Sequence, residues 1–307
     1  MDLRLLTMAR LTAPALDGPM TTTDTTTTRP VLVTAGTGKT GRRVAERLAR
    51  LGVPHRVASR RGQPPFDWDD ESTWPAALDG TGAAYVAYVP DLAVPGARET
   101  VRRFTAAALE RGVTRLVLLS GRGEPLARAA EDDLRASGAA WTIVRSAWFA
   151  QNFSEHFLHD QVVEGAIALP AGDVPEPFVD AWDVADVAVA ALTDDRHVGE
   201  VYEVTGPRLL TFADAAASLA RALGRPVTYV PVTREEYVAG ARAAGLPPAE
   251  VEALADLFAT VLDGRNASLA DGVQRALGRP PRDFDEFARE AAAAGAWDVG
   301  AATPAAP

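Results

Sequence analysis

The sequence predicts an α/β fold: a doubly wound parallel Rossmann sheet with a smaller, mostly helical C-terminal lobe. Three observations point to it. A glycine-rich loop lies between an apolar run and a helical pattern in "VLVTAGTGKTGRRVAERLARLG", residues 31–52. Short apolar runs and helical periods then alternate to about residue 150, the signature of parallel strands joined by helices. Beyond that point the alternation gives way to Gly/Pro-rich and Ala-rich stretches.

Taken in order, "VLVT" (31–34) reads as a buried strand, and 39–51 as a helix with Val44, Leu48 and Leu51 on one face. "HRVAS" (55–59) and "PFDW" (65–68) supply a second and third strand, and "AAYVAYV" (83–89) and "RLVLLS" (115–120) a fourth and fifth. Between the last two lies a helix over 97–111, which Gly112 ends in the left-handed position that glycine adopts at little cost. A helix over 125–137 stops near Gly138 and leads into "AWTIVRS" (140–146). A helix over 153–164 precedes the Gly/Pro-rich "GAIALPAGDVPEP". Asp183 then reads as the N-cap of "VADVAVAAL", with Asp186 three positions on. "EVYEVTG" (200–206) is one more strand, and Thr211 caps "FADAAASLARALG". "PVTYVPV" and three Ala-rich helical stretches run on to about residue 296. The expected organisation is a disordered tail over 1–29, an NAD(P)-binding Rossmann domain over 30–205 with 151–176 contributing to the cleft, a substrate-side helical lobe over 206–300, and a tail over 301–307.

Composition narrows the chemistry. At 307 residues, 47 % hydrophobic and 23 % charged, the chain is an ordinary globular protein. The absence of cysteine excludes disulfides, thiolate catalysis and Cys-ligated metals. A net charge of −10 argues against direct binding to nucleic acid or anionic membranes. No apolar run approaches the roughly 18 residues of a membrane helix. Asp2, Arg4 and Arg10 interrupt any signal-like stretch, so a cytoplasmic location is expected. No His/Asp/Glu cluster has metal-ligand spacing, and a homodimer is left open.

The glycine loop carries two phosphate signatures. A triphosphate P-loop needs a glycine at position 33, where Val33 stands inside the strand. The dinucleotide pattern G-x-G-x-x-G is complete in Gly36, Gly38 and Gly41, between strand and helix, so a pyrophosphate would meet the helix N-terminus. Thr37, Lys39 and Thr40 complete this candidate cofactor loop, and Lys39 is the chain's only lysine. NAD sites carry an acid about 20 residues on for the ribose hydroxyl. Here that window reads "VASRRGQ". Ser59, Arg60 and Arg61 stand where a 2′-phosphate would lie, which favours NADP(H), NADPH in its reduced form. Asp67 or Asp69 is a candidate for the adenine, and Val89 and Pro90 are assigned to the cofactor path after the fourth strand.

With these residues in view, "VLVTAGTGKTGRRVAERL", "FDWDDESTW", "ERGVTRLVLLSG", "LRASGAAWTIVRSAWFAQNF" and "PFVDAWDVADVAVAAL" resemble NmrA-like atypical short-chain dehydrogenase/reductases over about 30–290. "GPRLLTFADAAASLARALGRPVTYVPVTREEY" and "GRPPRDFDEFA" are similar to the festuclavine and agroclavine dehydrogenase subgroup of ergot-alkaloid metabolism. The resemblance implies NADP(H) binding and a small lobe over a substrate cleft. Three departures stand out. Ala35 replaces the family's first loop glycine, and Ser146 the proline of its R-P-x-x-F-x-x-N-F segment. The Tyr-x-x-x-Lys pair is missing, with Glu131 about where its lysine would be; "EDD" at 131–133 reads as a solvated helix face.

Without that pair, an unactivated ketone lacks its proton donor. The leading expectation is hydride transfer to an already electrophilic, small aromatic or polycyclic acceptor (quinone, enone or iminium), as in specialised-metabolite biosynthesis. The alternatives are a catalytically silent NADP(H) sensor acting through a protein partner, and an enzyme using the same cleft for a non-reductive step. Tyr88 and Ser120, at the ends of the fourth and fifth strands, are the candidate catalytic hydroxyls. Trp148, Phe149, Asn152 and His156 are the candidate cleft residues, near the switch from sheet to lobe; Phe149 and Phe153 suit core packing equally.

Overall fold

A computed structural model describes residues 29–155 and 157–298. The chain runs β1 (Val31–Val33), α1 (Lys39–Arg50), β2 (His55–Val57), α2 (Trp74–Leu78), β3 (Ala83–Val86), α3 (Ala97–Glu110), β4 (Arg115–Gly121), α4 (Pro125–Ala136) and β5 (Ala140–Ser146). It continues through α5 (Asn152–Glu155), α6 (His159–Glu164), β6 (Ala166–Leu169), α7 (Ala181–Thr193), β7 (Val201–Val204), α8 (Phe212–Leu223) and β8 (Thr228–Pro231). The helices α9 (Arg234–Ala243), α10 (Pro248–Val261), α11 (Gly272–Leu277) and α12 (Phe284–Ala293) follow.

Six strands form a parallel sheet in the order β2-β1-β3-β4-β5-β7, the doubly wound Rossmann arrangement. Its central strands are buried on both faces and continuously apolar, as Val31, Leu32 and Val33 illustrate, whereas the edge strand β2 is not buried. One face packs on α1, α7 and α11 through Val44, Leu48, Val184, Ala188 and Val273. The other carries α2, α3 and α4 through Trp74, Phe104, Ala127 and Leu134. Because β2 and β3 leave β1 on opposite sides, a crevice opens above the carboxyl ends of β1 and β3. Buried Thr34 closes its floor, its hydroxyl donating to the Tyr85 carbonyl at 2.9 Å and accepting from the Ala87 amide at 2.8 Å.

Several expectations are corrected. Residues 65–68 are not a strand: Pro64 and Pro65 remove two donors, and the Asp67 amide bonds the Thr73 hydroxyl instead. Phe66 and Trp68 still enter the core, edge-on to Phe104. The strands before Tyr88 and through Ser120 are thus the third and fourth. The predicted helix over 153–164 is broken into α5 and α6. Asp180, not Asp183, caps α7, accepting from the Trp182 amide at 2.8 Å. Asp183 is buried in the first turn, held by Arg279 and the Arg282 amide. The Gly/Pro-rich stretch contains β6, which pairs in parallel with β8. A fourth C-terminal helix, α11, turns back from the lobe to pack on β7 and α7. The lobe has its own core, with Phe153, Phe178, Phe212, Phe258 and Phe284.

Candidate active site

The glycine loop leaves β1 and enters α1 at Lys39, with Gly38 as an extended N-cap. Its glycines are required by close approach. A Cβ on Gly36 would lie 2.5 Å from the Val57 side chain, and one on Gly41 would overlap the Ala35 carbonyl oxygen. Gly38 donates its amide to that same carbonyl at 2.9 Å. Ala35 adopts the left-handed conformation, φ 47°, and is the one non-glycine residue with positive φ among the described residues. Position 35, where the family's first loop glycine would stand, thus takes a left-handed backbone with an alanine in it.

The N-terminus of α1 fits a pyrophosphate. No side chain caps it, no acidic residue stands in its first turn, and its first amides are the free donors of any helix start. Thr37 is exposed beside it and Thr40 is buried. Lys39 donates from Nζ to Oδ1 of Asn152 at 2.8 Å, tying the loop to α5. Burial lowers the Lys39 ammonium to about 8; Glu155 opposes that shift, and Arg42 and Arg43 add to it. Burial alone would raise the Glu155 carboxyl, but hydrogen bonds and charges from Arg43 and Arg42 hold it below the ordinary range.

Beyond β2, Ser59 accepts the amides of Gly62 and Phe66 on its carbonyl, at 2.9 Å each, which folds 59–66 into a loop and leaves Arg60 exposed. The Gly36 amide donates to the Ala58 carbonyl at 3.2 Å, so Ser59 and Arg60 adjoin the glycine loop. Asp67 is half-buried and accepts the Asp69 amide. Tyr88, Val89 and Pro90 follow β3; Tyr88 and Val89 pack against the core of the α2–α4 face, and the Tyr88 ring lies 5.2 Å from that of Trp68. Its hydroxyl makes no hydrogen bond among the described residues. Ser120 is buried, and its hydroxyl donates to Oε1 of Glu131 at 2.7 Å. That proton is therefore already committed. Glu131 is not on a solvated face: it is fully buried and also takes Arg145 at 2.5 Å. An arginine rising from β5 draws it inward.

On the lobe side, Trp148 is edge-on to Phe157 and Phe212 and tilted against Phe258, with its indole nitrogen buried and without a partner. Phe149 packs instead against the sheet-side core, bridged through its backbone to Val179. His156 lies outside the described residues.

Sequence reasoning missed a set of carboxyls. Asp91 follows β3 and Glu124 follows β4, so the two stand at the ends of adjacent strands. A Cβ on Gly121 would meet Oε1 of Glu124 at 2.7 Å; the carboxyl lies on the strand end itself. Burial, with the Asp91 charge added, raises Glu124 to about 8. Burial likewise raises Glu176 to about 7, against the pull of Arg122. A glutamate before a proline-led helix reads as a surface residue, and nothing local announces its burial. Among the described residues no acidic or histidine group forms a metal site, and no helix is long and apolar enough to cross a membrane.

No family model matches the chain. It is 33 % identical over 287 residues to an NAD(P)H azoreductase of Xenophilus azovorans, covering 86 % of this chain and 98 % of that protein. It is 33 % identical over 277 residues to an agroclavine dehydrogenase of Claviceps fusiformis, covering 84 % and 95 %. In fold it is similar to an NADPH-dependent quinone oxidoreductase of Escherichia coli solved with NADPH, at a TM-score of 0.73 and 23 % identity over 85 % of this chain and 99 % of that one. With relatives of this identity and coverage, an open helix N-terminus behind a glycine loop and a crevice at the strand ends, the chain belongs to the NmrA-like atypical short-chain dehydrogenase/reductases and is an NAD(P)H-dependent oxidoreductase.

Proposed function

We propose that the protein transfers hydride from NADPH to an activated, small aromatic or polycyclic acceptor such as a quinone, an enone or an iminium ion. The observation that carries this reading is the side chain that stands where the reductase lysine would be. Glu131 is buried between Ser120 and Arg145, and four residues earlier on α4 is buried Ala127. No phenol is activated there by an ammonium, so an acceptor that brings its own electrophilicity fits this site best, and orientation contributes most of the rate. The relatives named as an NAD(P)H azoreductase and an agroclavine dehydrogenase support nicotinamide-dependent redox chemistry on an aromatic or polycyclic compound. Trp148 and Phe157, only partly buried against the lobe core, offer aromatic surface suited to a planar substrate.

In this reading Gly36, Thr37, Gly38, Lys39, Thr40 and Gly41 hold the pyrophosphate and Asp67 the adenine. Val89 and Pro90 lie along the dinucleotide. Ser59 and Arg60 take the 2′-phosphate, and a charge-assisted contact of that kind is worth about 1.5–3 kcal/mol, or about one to two decades of affinity. The test is NADPH consumption against a panel of quinones, enones and iminium ions, paired with cofactor titrations of Arg60→Ala. Turnover with members of the panel is expected, with NADPH affinity lowered by Arg60→Ala and NADH affinity nearly unchanged. Tight NADPH binding without consumption would favour a sensor instead, and equal losses for both cofactors would remove Arg60 from the phosphate site.

A further inference from the structure

We propose that Glu124 is the proton donor of this reductase, delivering a proton to the acceptor heteroatom as hydride reaches the acceptor carbon. The proposal rests on the hydride-transfer reading above and adds a residue to it. Glu124 is 9 % exposed, and among the described residues its carboxyl has neither a hydrogen bond nor an ion pair, only its burial and the Asp91 charge acting on it. It reaches back from the start of α4 onto Gly121, at the end of the strand that ends beside the crevice. A carboxyl this buried with no cation beside it is held protonated, and a protonated carboxyl is a donor.

The surroundings keep it so. Asp91, from the segment after β3, is the charged group that acts on it, and like charges at short range cannot both ionise. Asp91 is itself raised by burial, although its Oδ1 accepts the Ala93 amide at 2.7 Å. Arg122, two residues away, is turned from the carboxyl: it donates to the Asn266 and Ser268 carbonyls and faces Glu203. From the lobe, Arg265 is held by Asp263 while it donates to the Gly123 carbonyl. Glu176, the neighbouring lobe carboxyl, is 1 % exposed and has one oxygen without a partner. Its charged neighbours are Arg122 and Asp263. Every cation in the neighbourhood is thus engaged elsewhere.

For an enone the step balances as follows. A new C–H bond forms at the β-carbon from the hydride that NADPH supplies, and the C=C electron pair shifts toward the carbonyl oxygen. The O–H bond of Glu124 breaks and its proton closes on that oxygen, giving the enol of the reduced product. The acceptor gains two electrons, the cofactor loses two, and Glu124 recovers a proton from solvent.

An N-alkyl iminium ion needs no proton, since hydride alone completes the amine. That difference makes the test. Full-length wild type, Glu124→Gln and Asp91→Asn are assayed with a neutral enone and with an N-alkyl iminium salt. Glu124→Gln is expected to lower kcat on the enone by about 10²–10⁴-fold, the usual loss when a general acid is removed. Its kcat on the iminium ion and its NADPH affinity should stay near wild type. A carboxyl-carbon NMR titration without cofactor should show a glutamate with a midpoint near 8 that Glu124→Gln removes and Asp91→Asn moves downward. Unchanged enone turnover in Glu124→Gln, equal losses on both acceptors, or a resonance removed by Glu124→Gln that titrates in the ordinary range would each overturn the donor. Wild type that turns over no acceptor would overturn the hydride-transfer reading as well, which the other outcomes leave standing.

Discussion

The two ends of the crevice are built on opposite electrostatic principles. At the glycine loop, cations gather around an open helix N-terminus: Lys39, Arg42 and Arg43 stand in or just after the first turn, and Glu155 balances two of them. Where β4 ends, Glu124 is buried with no cation beside it, and on the lobe side Glu176 is buried with one oxygen unpartnered and only the pull of Arg122 to offset its burial. The first arrangement is complementary to a bound anion. The second is costly in the empty protein, since burying an ionised carboxyl without a partner is strongly unfavourable and proton uptake is the cheaper state. The difference teaches where each half derives its function: the loop from backbone geometry, the crevice from desolvation.

Gly41→Ala should break the comparison most severely. Its Cβ would meet backbone, the Ala35 carbonyl, so the start of α1 must move. Overpacking of this kind costs about 1–3 kcal/mol of stability. A displacement of about 1 Å in a positioning element can lower turnover on the order of 10²-fold. We expect NADPH affinity to fall by more than about tenfold, read by fluorescence titration; wild-type affinity would mean that the phosphates do not lie on this helix end.

Glu176→Gln probes the other half through stability. Burial raises this carboxyl to about 7, so its contribution is fully present below the ordinary carboxylate range and lost as pH rises through 7. Glutamine keeps the shape without the charge. The melting temperature of the variant should therefore exceed that of wild type by several degrees at pH 8–9, and the two should converge near pH 4. Parallel pH curves for the two proteins would show that Glu176 ionises freely in the folded state.

Ala35→Gly is the smallest expected effect. A left-handed alanine costs about 1–2 kcal/mol, and glycine returns part of that gain through the entropy of the unfolded chain. A net stabilisation below about 1 kcal/mol is expected by thermal or urea melts, with NADPH affinity preserved. A loss of affinity would show that the alanine methyl itself supports the loop.

How far the sequence could be read differs between the same two regions. The loop was legible because its requirements are local: Gly36 and Gly41 are dictated by atoms within one strand–turn–helix unit, and Val33 alone rules out the P-loop reading. Arg60 was legible as a phosphate candidate by its spacing from that loop. The apolar 65–68 run was misread as a strand because Phe66 and Trp68 are core residues reached from an irregular segment. The helical period over 153–164 concealed the break between α5 and α6. Glu131 was misread as solvated because its partner, Arg145, comes from the next strand. Glu124 and Glu176 were missed because their burial depends on segments far along the chain.

The sequence by itself determined the α/β class, the alternation of strands and helices, the glycine loop with its dinucleotide pattern, and the absence of a tyrosine–lysine pair. These follow from periodicities and spacings that hold within about 30 residues, where backbone geometry decides the outcome. Tertiary structure alone decided which acids are dry, which arginines are already paired, and which hydroxyl already donates its hydrogen bond. Charge and desolvation act through space: Ser120 meets Glu131 across a strand and a helix, Arg122 is turned toward Asn266 and Ser268, and Glu124 loses its water by folding back onto Gly121.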